Sequence, residues 1–310
     1  MRAESPLEPH LHEEWDDEDD LRAKAPLAAF LAGTQTPSEV AQAVNTYVRN
    51  ETSTRLQKLT DYAASHTLGL EDRESGEWTE LYPPNAGAFA HEFIRSWCGI
   101  STAFSPHSNE QDRLMMILDE LRRLPRWMAP ETRPDENGEV LKSEFWAFGQ
   151  GWLGLEDEFR RQKEDGEPLT HIAGSCDRWI NLQSTMARVT AQDLIYCAPF
   201  TALERLPPVD HPAAKIPDVD IEGAAQWVMW PLECRYVYGE CLKKDTTSHY
   251  WEPWSKQRWA MWKQLFESVA GNLEHNDRTR SLASQALQEM KEVETEADDI
   301  VPGHSNSGSE

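Results

Sequence analysis

Gly149-Gln150-Gly151-Trp152-Leu153-Gly154 spells GxGxxG, the spacing that lets a strand-to-helix turn approach a dinucleotide pyrophosphate. That chemistry needs a buried strand before the glycines and an acid about 20 residues beyond them. Glu144-Phe145-Trp146-Ala147-Phe148 is not a Val/Ile strand, and Thr170-His171-Ile172-Ala173-Gly174 holds no acid. The glycines therefore read as a close helix approach or a local break. His91-Glu92 opens like the zinc motif HExxH, but Arg95 stands where the second imidazole belongs. Glu92 and Arg95 read instead as a surface pair. No Glu-x-x-His pair recurs on separate helices to build a di-iron site. The five cysteines, Cys98, Cys176, Cys197, Cys234 and Cys241, form no CxxC pair. A nucleophile among them would need a histidine and a third group close in space. Small buried thiols are the plainer reading. No catalytic set, no metal ligands and no cofactor emerge from the residues.

Aromatic and basic residues remain. His249, Tyr250, Trp251 and Trp254 share a loop with Pro253. Indole N–H groups there can orient a ligand in an apolar pocket. Arg278 and Arg280 can hold an anionic ligand or a partner's tail, or simply pair with nearby acids. These six residues are the ligand-binding candidates. Trp259, Trp262, Phe266, Val269 and Leu273 recur at steps of three and four, the period of a helix with one buried face. They read as core packing between helices.

The elements that position these residues are helical. Thr36-Pro37-Ser38-Glu39 predicts a capping box, with Val40, Val44, Tyr47 and Val48 on the inner face of a helix running to about Ser65. Further helices are expected at Ala88–Phe104, Ser108–Leu124 (Leu114, Ile117, Leu118 and Leu121 inward), Lys142–Gln162 and Cys176–Leu203. A sixth, Ile221–Leu242, is apolar nearly all round, capped by Asp220 and kinked by Pro231. Two more begin at Ser255 and near Asn276 or Asp277. Their short connection predicts antiparallel packing. Ala129–Gly138 reads as a loop, and Pro207-Pro208-Val209-Asp210-His211-Pro212 as a stiff connection.

Thirty Lys and Arg against 54 Asp and Glu give a formal net charge of −24. Such a field repels polyanions, and the short basic clusters make no nucleic-acid footprint. No apolar run approaches the roughly 18 residues of a membrane span. Without a secretory signal, the expected compartment is cytoplasmic or nuclear. Residues 1–25, with Glu13–Asp20 at their centre, read as a disordered acidic arm, and residues 295–310 as a disordered tail. Truncating the arm is then expected to leave the melting temperature unchanged. Trp15 makes that arm a candidate docking peptide.

The chain also resembles a known family. Glu222-Gly223-Ala224-Ala225-Gln226-Trp227-Val228, Trp251-Glu252-Pro253-Trp254, the helix from Trp259 to Phe266, Asp277-Arg278-Thr279-Arg280 and Ala286-Leu287-Gln288-Glu289-Met290 are similar to the fungal family labelled DUF3632, a domain of unknown function. Phe30-Leu31-Ala32-Gly33 with Pro37 and Ala41 extends the likeness. It would cover about Pro26–Glu294 and implies a fungal source and an all-α fold. It supplies no activity.

The expectation is a single all-α irregular bundle of about eight helices over residues 26–294, between disordered acidic termini. Its function reads as a non-catalytic protein-interaction or scaffold module. The alternative is a small-molecule-binding protein or an unrecognised enzyme with an aromatic pocket near residues 249–254.

Overall fold

A computed structural model describes residues 7–65, 84–131, 139–146, 148, 175–207, 216–247 and 253–300. Nine α-helices lie among the described residues: α1 (Glu18–Leu31), α2 (Pro37–Ser65), α3 (Gly87–Ser101), α4 (Asn109–Arg123), α5 (Ser175–Ala191), α6 (Asp218–Ala225), α7 (Pro231–Leu242), α8 (Lys256–Gly271) and α9 (Asp277–Ile300). Two short strands, β1 (Met128–Pro130) and β2 (Lys142–Glu144), pair antiparallel with Met128 opposite Glu144. Among the described residues the fold is helical apart from this pair. Contacts gather the described residues into two compact units. One runs to Phe148 and takes in Asp193–Ile195; the other holds the remaining residues from Ser175 onward.

In the first unit, α1 packs on α3, and α2 on α4. The acidic stretch expected to be a disordered arm is ordered from Leu7. Its acids supply the reason. Asp17 accepts from the backbone N–H groups of Asp19 and Asp20 at 2.8 and 2.9 Å, and Asp20 accepts from the backbone N–H of Asp17. Glu18, Asp19 and Asp20 then sit in the first turn of α1, where carboxylates suit the helix dipole. Leu11 is buried, and the Leu7 N–H donates to the Ala103 carbonyl at 3.1 Å. Lys24, only 3% exposed, pairs with Asp16 and lies 3.6 Å from Glu92.

The Thr36–Glu39 capping box starts α2 as its residues predict. Ser108 caps α4, and Leu114, Ile117, Leu118 and Leu121 all turn inward. The helix expected from Lys142 is corrected: Lys142–Glu144 is β2, and residues 149–162, with the GxGxxG segment, lie outside the described residues.

In the second unit, α5 is buried on every side from Arg178 to Thr190. It stops at Ala191 rather than Leu203. Asp193 takes a left-handed φ of 54°, and two 3-10 turns, Ala198–Phe200 and Ala202–Arg205, follow. The helix expected over Ile221–Leu242 is two helices. Trp230 precedes a proline and is extended (φ −117°, ψ 136°), so Pro231 opens α7 at its first position instead of kinking a continuous helix. Pro217, not Asp220, precedes the first turn of α6. Gly223 lets α6 approach α5 closely, since a Cβ there would stand 2.7 Å from Trp179 Nε1.

Ser255 caps α8 through the Arg258 N–H, and Asn276 caps α9 through the Thr279 N–H. Trp259 and Lys263, early in α8, hydrogen-bond to Glu294, late in α9. The two helices are therefore antiparallel. Leu273 departs from the predicted stripe: α8 ends at Gly271, and Leu273 is 82% exposed. At the other end α9 continues through Ile300, beyond the expected boundary at Glu294.

Candidate functional site

The second unit holds a tryptophan cluster built from three elements. The Trp254 ring lies 6.0 Å from Trp227 and 6.1 Å from Trp262, edge-on to the latter. Trp227 follows α6, Trp262 sits mid-α8, and Trp254 lies just before the Ser255 cap that fixes the entry of α8. Trp227 and Trp262 are fully buried and Trp254 is 6% exposed. Trp227 Nε1 donates to Gln183 Oε1 at 2.8 Å, and the same oxygen accepts from the Ala202 backbone N–H. Trp230 Nε1 donates to Gln226, and Trp259 Nε1 to Glu294 at 2.7 Å. The buried Nε1 atoms of Trp179, Trp254 and Trp262 have no hydrogen-bond partner.

The other candidates stand in different surroundings. Arg278 hydrogen-bonds to Asp177 at 2.9 Å and lies 3.3 Å from Glu222. Arg280 pairs with Asp277. Both arginines lie in the first turn of α9 and are engaged by acids, Arg278 by those of α5 and α6 and Arg280 by its own helix. His249, Tyr250 and Trp251 lie outside the described residues.

Beside the arginines is a polar knot. Thr279 Oγ1 donates to Glu222 at 2.6 Å, and the His275 ring nitrogen Nδ1 and Asn276 Nδ2 each stand 2.6 Å from Asp218. Burial works against the charge on Asp218, but the hydrogen bonds from His275 and Asn276 outweigh it and hold the carboxyl below its ordinary value. The knot ties α6 to the first turn of α9. Glu289 moves the other way. Burial, with Glu292, Glu296 and Glu233 nearby, raises it.

Sequence reasoning missed the acceptors that pin the tryptophans. Gln183 is one. In the first unit Asn45 is another: its Oδ1 accepts from Trp127 Nε1 at 3.2 Å and Trp146 Nε1 at 2.9 Å. Asn45 follows Val44 on the buried side of α2, and a small amide inside an apolar stripe was the available signal.

Cys98, Cys197, Cys234 and Cys241 are buried and Cys176 is exposed; none is bridged. Burial pushes the Cys241 thiol up to about 12 and Cys234 higher still, so neither supplies a thiolate nucleophile at neutral pH. Among the described residues no group of three His, Cys, Asp or Glu could hold a metal ion. None of their helices is long and apolar enough to cross a membrane.

The family model for DUF3632, a protein family of unknown function, matches residues 98–266, more than half of the 310 residues. The chain belongs to this family. No curated protein and no solved structure matches it. The DUF3632 span runs from within α3 into α8 and includes Trp227, Trp254, Trp259 and Trp262. Arg278, Arg280 and Trp15 lie beyond it.

Proposed function

We propose that this DUF3632 protein is a non-catalytic interaction module that engages a basic partner through the turn leading into α1. The observation that carries this reading is Trp15, which is 73% exposed. Among the described tryptophans it alone is exposed. Seven of the eight residues from Glu13 to Asp20 are acidic, and Trp15 is the eighth. Asp16 is held by Lys24, Glu13 lies 3.6 Å from Arg95, and Asp17 caps α1. The indole is thus displayed from a seated segment. A large aromatic among carboxylates suits a Lys/Arg-rich partner, whose cations can stack on the ring while the acids attract them. The five unbridged cysteines support a reducing compartment, the cytoplasm or nucleus.

Native mass spectrometry of the protein from its own source tests this reading. A co-purified protein should be present with the natural chain and lost with Trp15→Ala. The same partner mass retained by the variant would contradict it.

A further inference from the structure

Resting on the reading of Trp15 above, we infer that its basic partner is a second copy of this chain, which offers Arg49 from an aromatic seat. Asn45 and Arg49 stand four residues apart in α2 and so share one face of that helix. Asn45 accepts from the Trp127 indole N–H at 3.2 Å, and the Arg49 guanidinium lies 5.6 Å above the same ring. Phe145 stacks on that ring at 5.0 Å. Trp127 is thereby fixed, and it holds the cation in place. Arg49 is nevertheless exposed, and among the described residues no carboxylate pairs with it.

The chemistry of this seat selects what docks on it. A guanidinium is planar, so one face can rest on Trp127 while the other takes a second aromatic ring. Its N–H groups, at the edge of that plane, take carboxylates. An indole beside a carboxylate answers both needs. Trp15 is such an indole: Glu14 adjoins it, both are exposed, and Glu14 has no cation partner among the described residues. The two halves do not meet within one copy, because the ring under Arg49 is Trp127 and Trp15 has no ring or cation contact among the described residues. A second copy supplies each missing half. Two copies related by a two-fold axis exchange both contacts, whereas a head-to-tail contact extends into a chain. The net charge of −24 opposes such pairing, but about 0.15 M salt confines that repulsion to roughly 8 Å. The stacked contact itself is short-range and survives the screening.

Sedimentation equilibrium of the full-length protein tests this contact, at about 0.3 mM chain and about 0.15 M salt. The natural chain should associate with a dissociation constant on the order of 0.1 mM. Trp15→Ala and Arg49→Gln should each weaken association about tenfold. Both side chains are exposed, so neither substitution opens the core. An equal mixture of the two variants, each supplying the half that the other lacks, should associate more strongly than either alone. At about 0.01 M salt the natural chain should associate less, since repulsion between the two copies then reaches about 30 Å. A natural chain that stays single at the higher salt would overturn the second copy as partner. So would association that Arg49→Gln leaves unchanged, a mixture no better than its parts, or association that grows at the lower salt. A single chain that still binds a Lys/Arg-rich peptide through Trp15 sinks this inference and leaves the Trp15 reading standing. Association that Trp15→Ala leaves intact, with no loss of peptide binding, sinks both.

Discussion

At the scale of single residues, the tryptophans divide by what their indole nitrogens find. Trp127 and Trp146 converge on one oxygen, that of Asn45. Asn45→Ala strands two donors at once, at about 1–3 kcal/mol each. We expect a loss of roughly 2–5 kcal/mol in urea unfolding; a change under about 0.5 kcal/mol would show that water serves both rings equally well. Trp262 is a packing residue as well as a donor. Trp262→Ala should cost about 3–5 kcal/mol, because it opens a large cavity in the core of the second unit. A loss below about 1 kcal/mol would remove it from that core. The burial of Trp262 was legible in its spacing to Trp259, Phe266 and Val269. The role of Asn45 was not. Its partners lie 82 and 101 residues away, and periodicity carries no information about such pairs. Of the six ligand candidates, Trp254 falls in the aromatic cluster, whereas Arg278 and Arg280 answer to local acids.

At the scale of elements, caps were easier to read than endings. Ser108, Ser255 and the Thr36–Glu39 pair announce helix starts with side chains that act within three residues. The break between α6 and α7 follows from one local rule: proline opens a helix as readily as it kinks one. The start of α1 is the larger lesson. Self-repulsion along a run of acids predicts a free arm, but in place those acids cap the helix, suit its dipole and hold Lys24. Deleting residues 1–17 should therefore lower the melting temperature, since it removes buried Leu11, the Asp17 cap and the carboxylate of Asp16. An unchanged melting temperature would restore the reading of a free arm. The Asp218 knot sets a pH dependence between α6 and α9. Its carboxyl sits below the ordinary 3.8 in the folded protein, so its stabilisation is present above that value. That stabilisation is lost as pH falls through the folded value. Asp218→Asn should lower the melting temperature at neutral pH and flatten its decline below pH 3.8. Parallel melting curves for both proteins across that range would count against the knot.

At the scale of the whole molecule, the proposed contact with a basic partner rests on net charge and one exposed aromatic. Burial raises the Cys234 and Cys241 thiols, and Arg278 and Arg280 pair with Asp177 and Asp277. The overall charge of −24 was plain from composition, but its use was not. Only the structure sets Trp15 outward on an ordered acidic turn, where attraction for cations and an apolar anchor coincide. Ionic strength should then govern association, because exposed charges are screened within about 10 Å at 0.1 M salt. The most direct measurement is calorimetric titration of the full-length protein with a Lys/Arg-rich peptide at low and high salt, natural chain against Trp15→Ala. The account predicts salt-sensitive binding that the substitution weakens by about 2 kcal/mol, close to thirtyfold. Equal affinity for the two proteins would contradict it.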